Sequence, residues 1–177
     1  YGVDLDADAL AIGQERGLDL RHAGALEHLQ TLPDGTLGAV TMIQVIEHMG
    51  PEDLLSLLRT VYRKLAPYGF VVAETINPTC LYALTNWYLM DPSHRAPVHP
   101  ETTRFPMAQA GFHPIEVRFL HPVPQDQQLE SLPVDAPEQP AAVASLVAQL
   151  QRNTEQLNRV LYGPQDSGAI AHKTEPA

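Results

Sequence analysis

The residues with the most chemistry to offer stand at the ends of apolar runs. Residues 39–48 read Ala-Val-Thr-Met-Ile-Gln-Val-Ile-Glu-His, a buried-strand pattern that stops at Glu47 and His48. An imidazole that titrates near neutrality can take a proton from a hydroxyl within reach, which makes His48 a candidate general base. The same pair can instead hold the strand-to-helix turn by hydrogen bonds. Upstream, Tyr-Gly-Val-Asp-Leu-Asp is a shorter run ending in acid. At the carboxyl edge of a parallel sheet, Asp4 would face a ligand crevice and could accept hydrogen bonds from both hydroxyls of an adenosyl ribose. Asp4 or Asp6 can equally cap the next helix. A third group, Asp91, His94, His99 and Glu101, is close in sequence. His94 is a second candidate for binding an acceptor or removing its proton. No close pair in this group has His-x-x-x-His spacing, so no metal site is expected.

These residues need a scaffold, and the pattern supplies one. Residues 1–5 read as a strand end, and Asp6 or Asp8 caps a helix over 7–16 that Gly17 ends. A short strand over 18–23 and helical turns over Ala25–Leu32 follow. Leu32-Pro33-Asp34-Gly35 is a turn, because Pro fixes φ and Gly accepts positive φ. The strand over 38–45 is apolar on both faces, as expected of a central parallel strand. Pro51 opens a helix over 51–65 with Leu54, Leu55, Leu57, Leu58, Val61, Tyr62 and Leu65 on one stripe. Pro67-Tyr68-Gly69 is expected to stop it before a strand over 70–75. Further along come a helix over 79–90 and one over 101–110 containing Pro106. A strand over 115–120 follows, then a Pro-rich loop over 122–140. A helix over 141–161 and a last strand over 168–173 complete the pattern. The alternation predicts an α/β fold with a doubly wound sheet.

In order and spacing these segments resemble the class I S-adenosylmethionine (SAM)-dependent methyltransferases. The resemblance covers most of the chain and is closest over 1–78. It implies a Rossmann-like sheet, SAM as cofactor, and methyl transfer to an oxygen or nitrogen of a small molecule or glycan. It carries ribose binding onto Asp4, contact near the adenine onto Leu5, and backbone contact with the ring onto Ala25 and Leu26. Gln44 would lie at the methionine part of the cofactor, with His48 and His94 as catalytic residues. Asn77-Pro78, Asp91-Pro-Ser-His94 and the run 158–166 are similar to a subgroup that acts on glycans. Gly24 departs from the family, which often has Asp there. The family's Gly-rich loop and first strand precede the strand at residue 1. The first strand is therefore expected to be missing from this chain, leaving a slot beside residues 1–5 and 38–45. Residues 1–121 would be the core from the second strand onward, and 141–177 the last helix and strand of the same domain.

Composition narrows the alternatives. A net charge of -10 with only 11 Lys and Arg disfavours bulk nucleic acid as a partner. No stretch reaches the roughly 20 apolar residues of a membrane span. The single Cys80 cannot form an internal disulfide, which suits the cytoplasm. An open sheet edge or the 141–161 helix offers a route to a homodimer. Two other readings remain at this level: an inactive methyltransferase-fold interaction module, and half of a nucleotide-binding dehydrogenase. Tyr82, Trp87 and Tyr88 are able to stack on a sugar or to pack a lid.

Overall fold

The computed structural model describes residues 1–131 and 140–174. Strand β1 (Gly2–Asp4) lies parallel to β2 (Leu20–His22), and α1 (Ala7–Glu15) joins them. Asp6 is the cap of α1, its carboxylate accepting from the N–H groups of Asp8 and Ala9. Helix α2 (Ala25–Thr31) then leads through the expected turn, where Gly35 has φ 71°. The Lys64 ammonium clamps that turn, 2.7 Å from the Leu32 carbonyl and 2.6 Å from Asp34.

The rest of the chain forms a four-stranded sheet in the order β3 (Leu37–Ile43), β4 (Leu65–Ile76), β6 (Pro164–His172), β5 (Ile115–Pro122). Strand β3 runs parallel to β4, and β6 is antiparallel to both of its neighbours. Helix α3 (Pro51–Lys64) packs on this sheet, because its Leu54, Leu57, Leu58 and Val61 are buried together with Leu65, Val71 and Ala73. Met107 and Phe112, from α5 (Pro100–Ala110) and the turn after it, close the same core. Gly111 takes the left-handed conformation there, at φ 105°.

The α/β architecture expected from the alternation is present, with three local corrections. Strand β3 is not buried on both faces: Ala39 and Thr41 are exposed and Ile43 is 50% exposed. Among the described residues β3 pairs only with β4, and β1 only with β2. A slot of about 350 Å³ lies between β1 and β3, lined by Val3, Ala25, Leu29, Val40 and Met42 among others. The second correction concerns Pro67–Gly69, which is not a turn but part of β4. The chain is already extended at Leu65, Tyr68 takes φ 63°, and the register with β3 shifts between Leu37 and Ala39. Third, the 79–90 helix is present but shorter and changes type, with α4 (Leu81–Ala83) running directly into a π-turn, Leu84–Tyr88. Helix α6 (Ala141–Leu161) forms as expected but buries no residue, although one side is apolar. The Pro-rich loop contains a 3₁₀ turn at Gln125–Gln127, and its residues 132–139 lie outside the described residues.

Candidate active site

The functional side chains collect beyond the carboxyl ends of β3 and β4. Strand β3 ends at Ile43, and Gln44 takes φ 54° while its N–H bonds the Glu74 carbonyl. That turn sends the chain out of the sheet into a 3₁₀ turn, Ile46–His48. The π-turn after α4 leads to Asp91–His94, which folds back onto it, and the Arg95 N–H bonds the Glu47 carbonyl at 2.9 Å. The result is a cleft of about 450 Å³ lined by Gln44, His48, Trp87, Asp91, His94 and Asp166 among others.

The two histidines touch, with ring centroids 4.6 Å apart, and His94 stacks on Tyr88 at 4.5 Å. Nδ1 of His94 lies 2.7 Å from the Tyr88 carbonyl, and only an N–H can make that bond. The hydroxyl of Ser93 donates to Asp91 at 2.6 Å, so its oxygen accepts from Nδ1–H of His48 at 3.0 Å. Each ring makes its bond through Nδ1–H, and the Nε2 of His94 lies 3.8 Å from the Asp91 carboxylate. The hydroxyl and backbone N–H of Ser93 hold the Asp91 carboxyl below its ordinary pKa, and the two nearby histidines add to the effect. Beneath them Glu47 is fully buried, and among the described residues neither carboxylate oxygen has a hydrogen-bond donor. The Tyr88 hydroxyl is also buried without a partner. Burial, and then the charge of Glu47, raise its pKa.

The far wall belongs to β6. Asp166 accepts from the Gln44 amide at 3.1 Å and from His121 Nδ1 at 2.8 Å. The indole N–H of Trp87 donates to the Gln165 side chain at 3.1 Å. The amide of Gln44 is thus already engaged by Asp166.

The sequence-predicted residues fall into two groups. Gln44, His48 and His94 share the cleft. Asp4 and Leu5 stand at the end of β1 instead, across the slot. Asp4 is exposed, and one of its oxygens accepts from the Asp6 N–H at 2.9 Å. Leu5 is 72% exposed, and its carbonyl bonds His22. Ala25 and Leu26 form the half-buried first turn of α2, and Ala25 lines the slot. His99 and Glu101 do not join the cleft. His99 caps α5, and Glu101 pairs with Arg104 at 2.8 Å. Sequence reasoning missed Asp166, Ser93 and the isolation of Glu47. A hint of the last was available, since Glu47 sits between apolar Ile46 and the turn.

No curated protein matches this chain. Residues 1–73 match the family described as "Methyltransferase domain". Among solved structures, a SAM-dependent methyltransferase from Archaeoglobus fulgidus is 35% identical, with a TM-score of 0.84 over 97% of this chain and 75% of its own. The chain belongs to the SAM-dependent methyltransferases. Two more distant structures share the fold. A Thermotoga maritima methyltransferase, described as a possible histamine N-methyltransferase, is 14% identical, with TM-score 0.62 over 98% of this chain and 73% of its own. Phosphoethanolamine N-methyltransferase 2 of Haemonchus contortus was solved with phosphomonomethylethanolamine and S-adenosylhomocysteine. It is 16% identical, with TM-score 0.61 over 98% of this chain and 43% of its own.

Membership in the SAM-dependent methyltransferases makes this an enzyme fold with SAM as cofactor. The residues present suit such a ligand on one side. Asp4 offers an exposed carboxylate at the end of β1, beside the exposed apolar Leu5. Among the described residues no helix is long and apolar enough to cross a membrane.

Proposed function

We propose that this methyltransferase moves a methyl group to an oxygen or nitrogen of a small molecule or glycan, in the cleft between His48, His94 and Asp166. When bound, SAM supplies an electrophilic methyl group on its sulfonium. Asp4 would hold the ribose hydroxyls, Leu5, Ala25 and Leu26 the adenine side, and Gln44 the methionine end. The observation that carries this reading is the arrival of Gln44, His48 and His94 in one cleft, although 46 residues separate the histidines. Proximity and alignment would supply most of the rate. The imidazoles of His48 and His94 would help remove the acceptor proton. Asn77, Trp87 and Asp91–His94 supply the similarity to enzymes acting on glycans, and Trp87, 46% exposed at the cleft, suits stacking on a sugar face.

Calorimetry with SAM and S-adenosylhomocysteine tests the cofactor side. Transfer of a radiolabelled methyl group to panels of polyols, glycosides, phenols and small amines tests the acceptor side. Saturable cofactor binding with transfer to one panel is expected. Absence of binding to either cofactor form would defeat the reading. Two further parts of it concern the whole molecule. The open edges of β1 and β3, or the apolar side of α6, pair copies into a homodimer. The free buried thiol of Cys80 suits a reducing cytoplasm.

A further inference from the structure

We propose that Glu47, His48 and His94 form a binding site for a divalent transition-metal cation of the zinc, cobalt or manganese class. One ligand atom from each of the three lies within 4.8 Å of the others. Ligands about 2.0–2.2 Å from a zinc ion stand closer together than that, so the side chains need to draw in by about an ångström.

Three independent features point to a cation. The first is Glu47, whose carboxylate is fully buried with no donor on either oxygen. A buried charge without a partner is costly, and a metal ion removes that cost. The second is the tautomer of each histidine. Metal-binding histidines commonly donate the other ring N–H to a carbonyl or a polar side chain, which fixes the ring and raises its basicity. His94 does so to the Tyr88 carbonyl, and His48 to Ser93, which is itself anchored on Asp91. The third is access. His48, His94 and Asp91 line the cleft while Glu47 is sealed beneath, so a cation would be held from below and open toward the acceptor. Two imidazoles with one carboxylate favour a borderline transition metal over magnesium or calcium, which prefer oxygen.

The inference rests on the cleft being the acceptor end of the methyltransferase site. It changes how the histidines act there: they become ligands, and the cation lowers the proton affinity of an acceptor hydroxyl. It also adds a metal where the sequence suggested none.

The test uses cobalt(II) as the probe, added to the full chain after chelator treatment. One equivalent is expected to give visible d–d absorption, with displacement by zinc. Glu47→Gln should weaken binding at least tenfold, His48→Ala and His94→Ala should abolish the band, and His113→Ala, at an exposed histidine outside the cleft, should leave it unchanged. Circular dichroism melts check that the variants fold. X-ray absorption of the wild-type complex gives a readout that needs no variant: imidazole scattering from two ligands is expected. A first shell without imidazole, or equal affinity in all four variants, would overturn the site. Calorimetry with SAM on the metal-free protein separates the two readings. SAM binding without a cobalt band defeats the metal site alone, whereas a cobalt band without SAM binding defeats the proposed function.

Discussion

At the scale of single residues, carboxylates decide most of what the cleft can do. Asp91 has its pKa lowered by Ser93, so its contribution to folding is complete above the unfolded Asp value near pH 4 and is lost as pH falls through the folded value. Ser93→Ala should move the Asp91 titration upward, read by carboxyl NMR, and Asp91→Asn should flatten the acid limb of the stability curve. An unchanged Asp91 titration in Ser93→Ala would refute this account of the shift. Asp4 carries the cofactor argument. Loss of its charged hydrogen bonds in Asp4→Ala should weaken SAM binding about 10- to 100-fold, measured by calorimetry. Affinity equal to wild type would remove Asp4 from the site. Asp4, Gln44 and His48 stood out in the sequence because each ends or follows an apolar run, and His94 because it stands close to Asp91, His99 and Glu101. The isolation of Glu47 did not, because a donor's absence depends on every neighbour in space.

At the scale of elements, α3 and β4 hold the site from below. Leu58 is 1% exposed in the face that packs on the sheet. Leu58→Ala should cost about 2–5 kcal/mol in urea unfolding, since the space cannot fully collapse. A cost below ~1 kcal/mol would mean that the helix repacks readily. Gly69 tests the correction to β4. A Cβ there would stand 2.9 Å from the Ala66 carbonyl and 3.0 Å from that of Gly38. Gly69→Ala should therefore destabilise by about 1–3 kcal/mol, whereas a loose turn at Pro67–Gly69 would tolerate it. The stripe on α3 was readable because helical period and burial agree. The length of β4 was hidden because Pro and Gly mark turns locally, while pairing with β3 and β6 decides the backbone here.

At the scale of the whole molecule, the sheet comes in two parts. A two-stranded parallel pair has little support of its own. Amide exchange should thus be faster in β1 and β2 than in β4, which has strands on both sides. Equal protection in the two parts would show that something else braces the pair. The apolar side of α6, with Leu146 60% and Val160 59% exposed, predicts self-association. Sedimentation should show a concentration-dependent dimer. Leu146→Glu should shift it to monomer, and a dimer unchanged in that variant would remove α6 as the contact.

The sequence by itself determined the order of strands and helices, a carboxylate cap at Asp6 or Asp8, Pro51 at the start of α3, the family resemblance, and which residues end the strands. Those properties depend on neighbours a few positions away, and local periodicity records them. Only the tertiary structure decided that Ser93 sets the tautomer of His48, that Gln44 is engaged by Asp166, and that Glu47 lies sealed beneath two imidazoles. These depend on where β3, the segment after α4, and β6 meet in space. No spacing along a chain encodes that meeting, because it is set by how the core between α3 and the sheet closes.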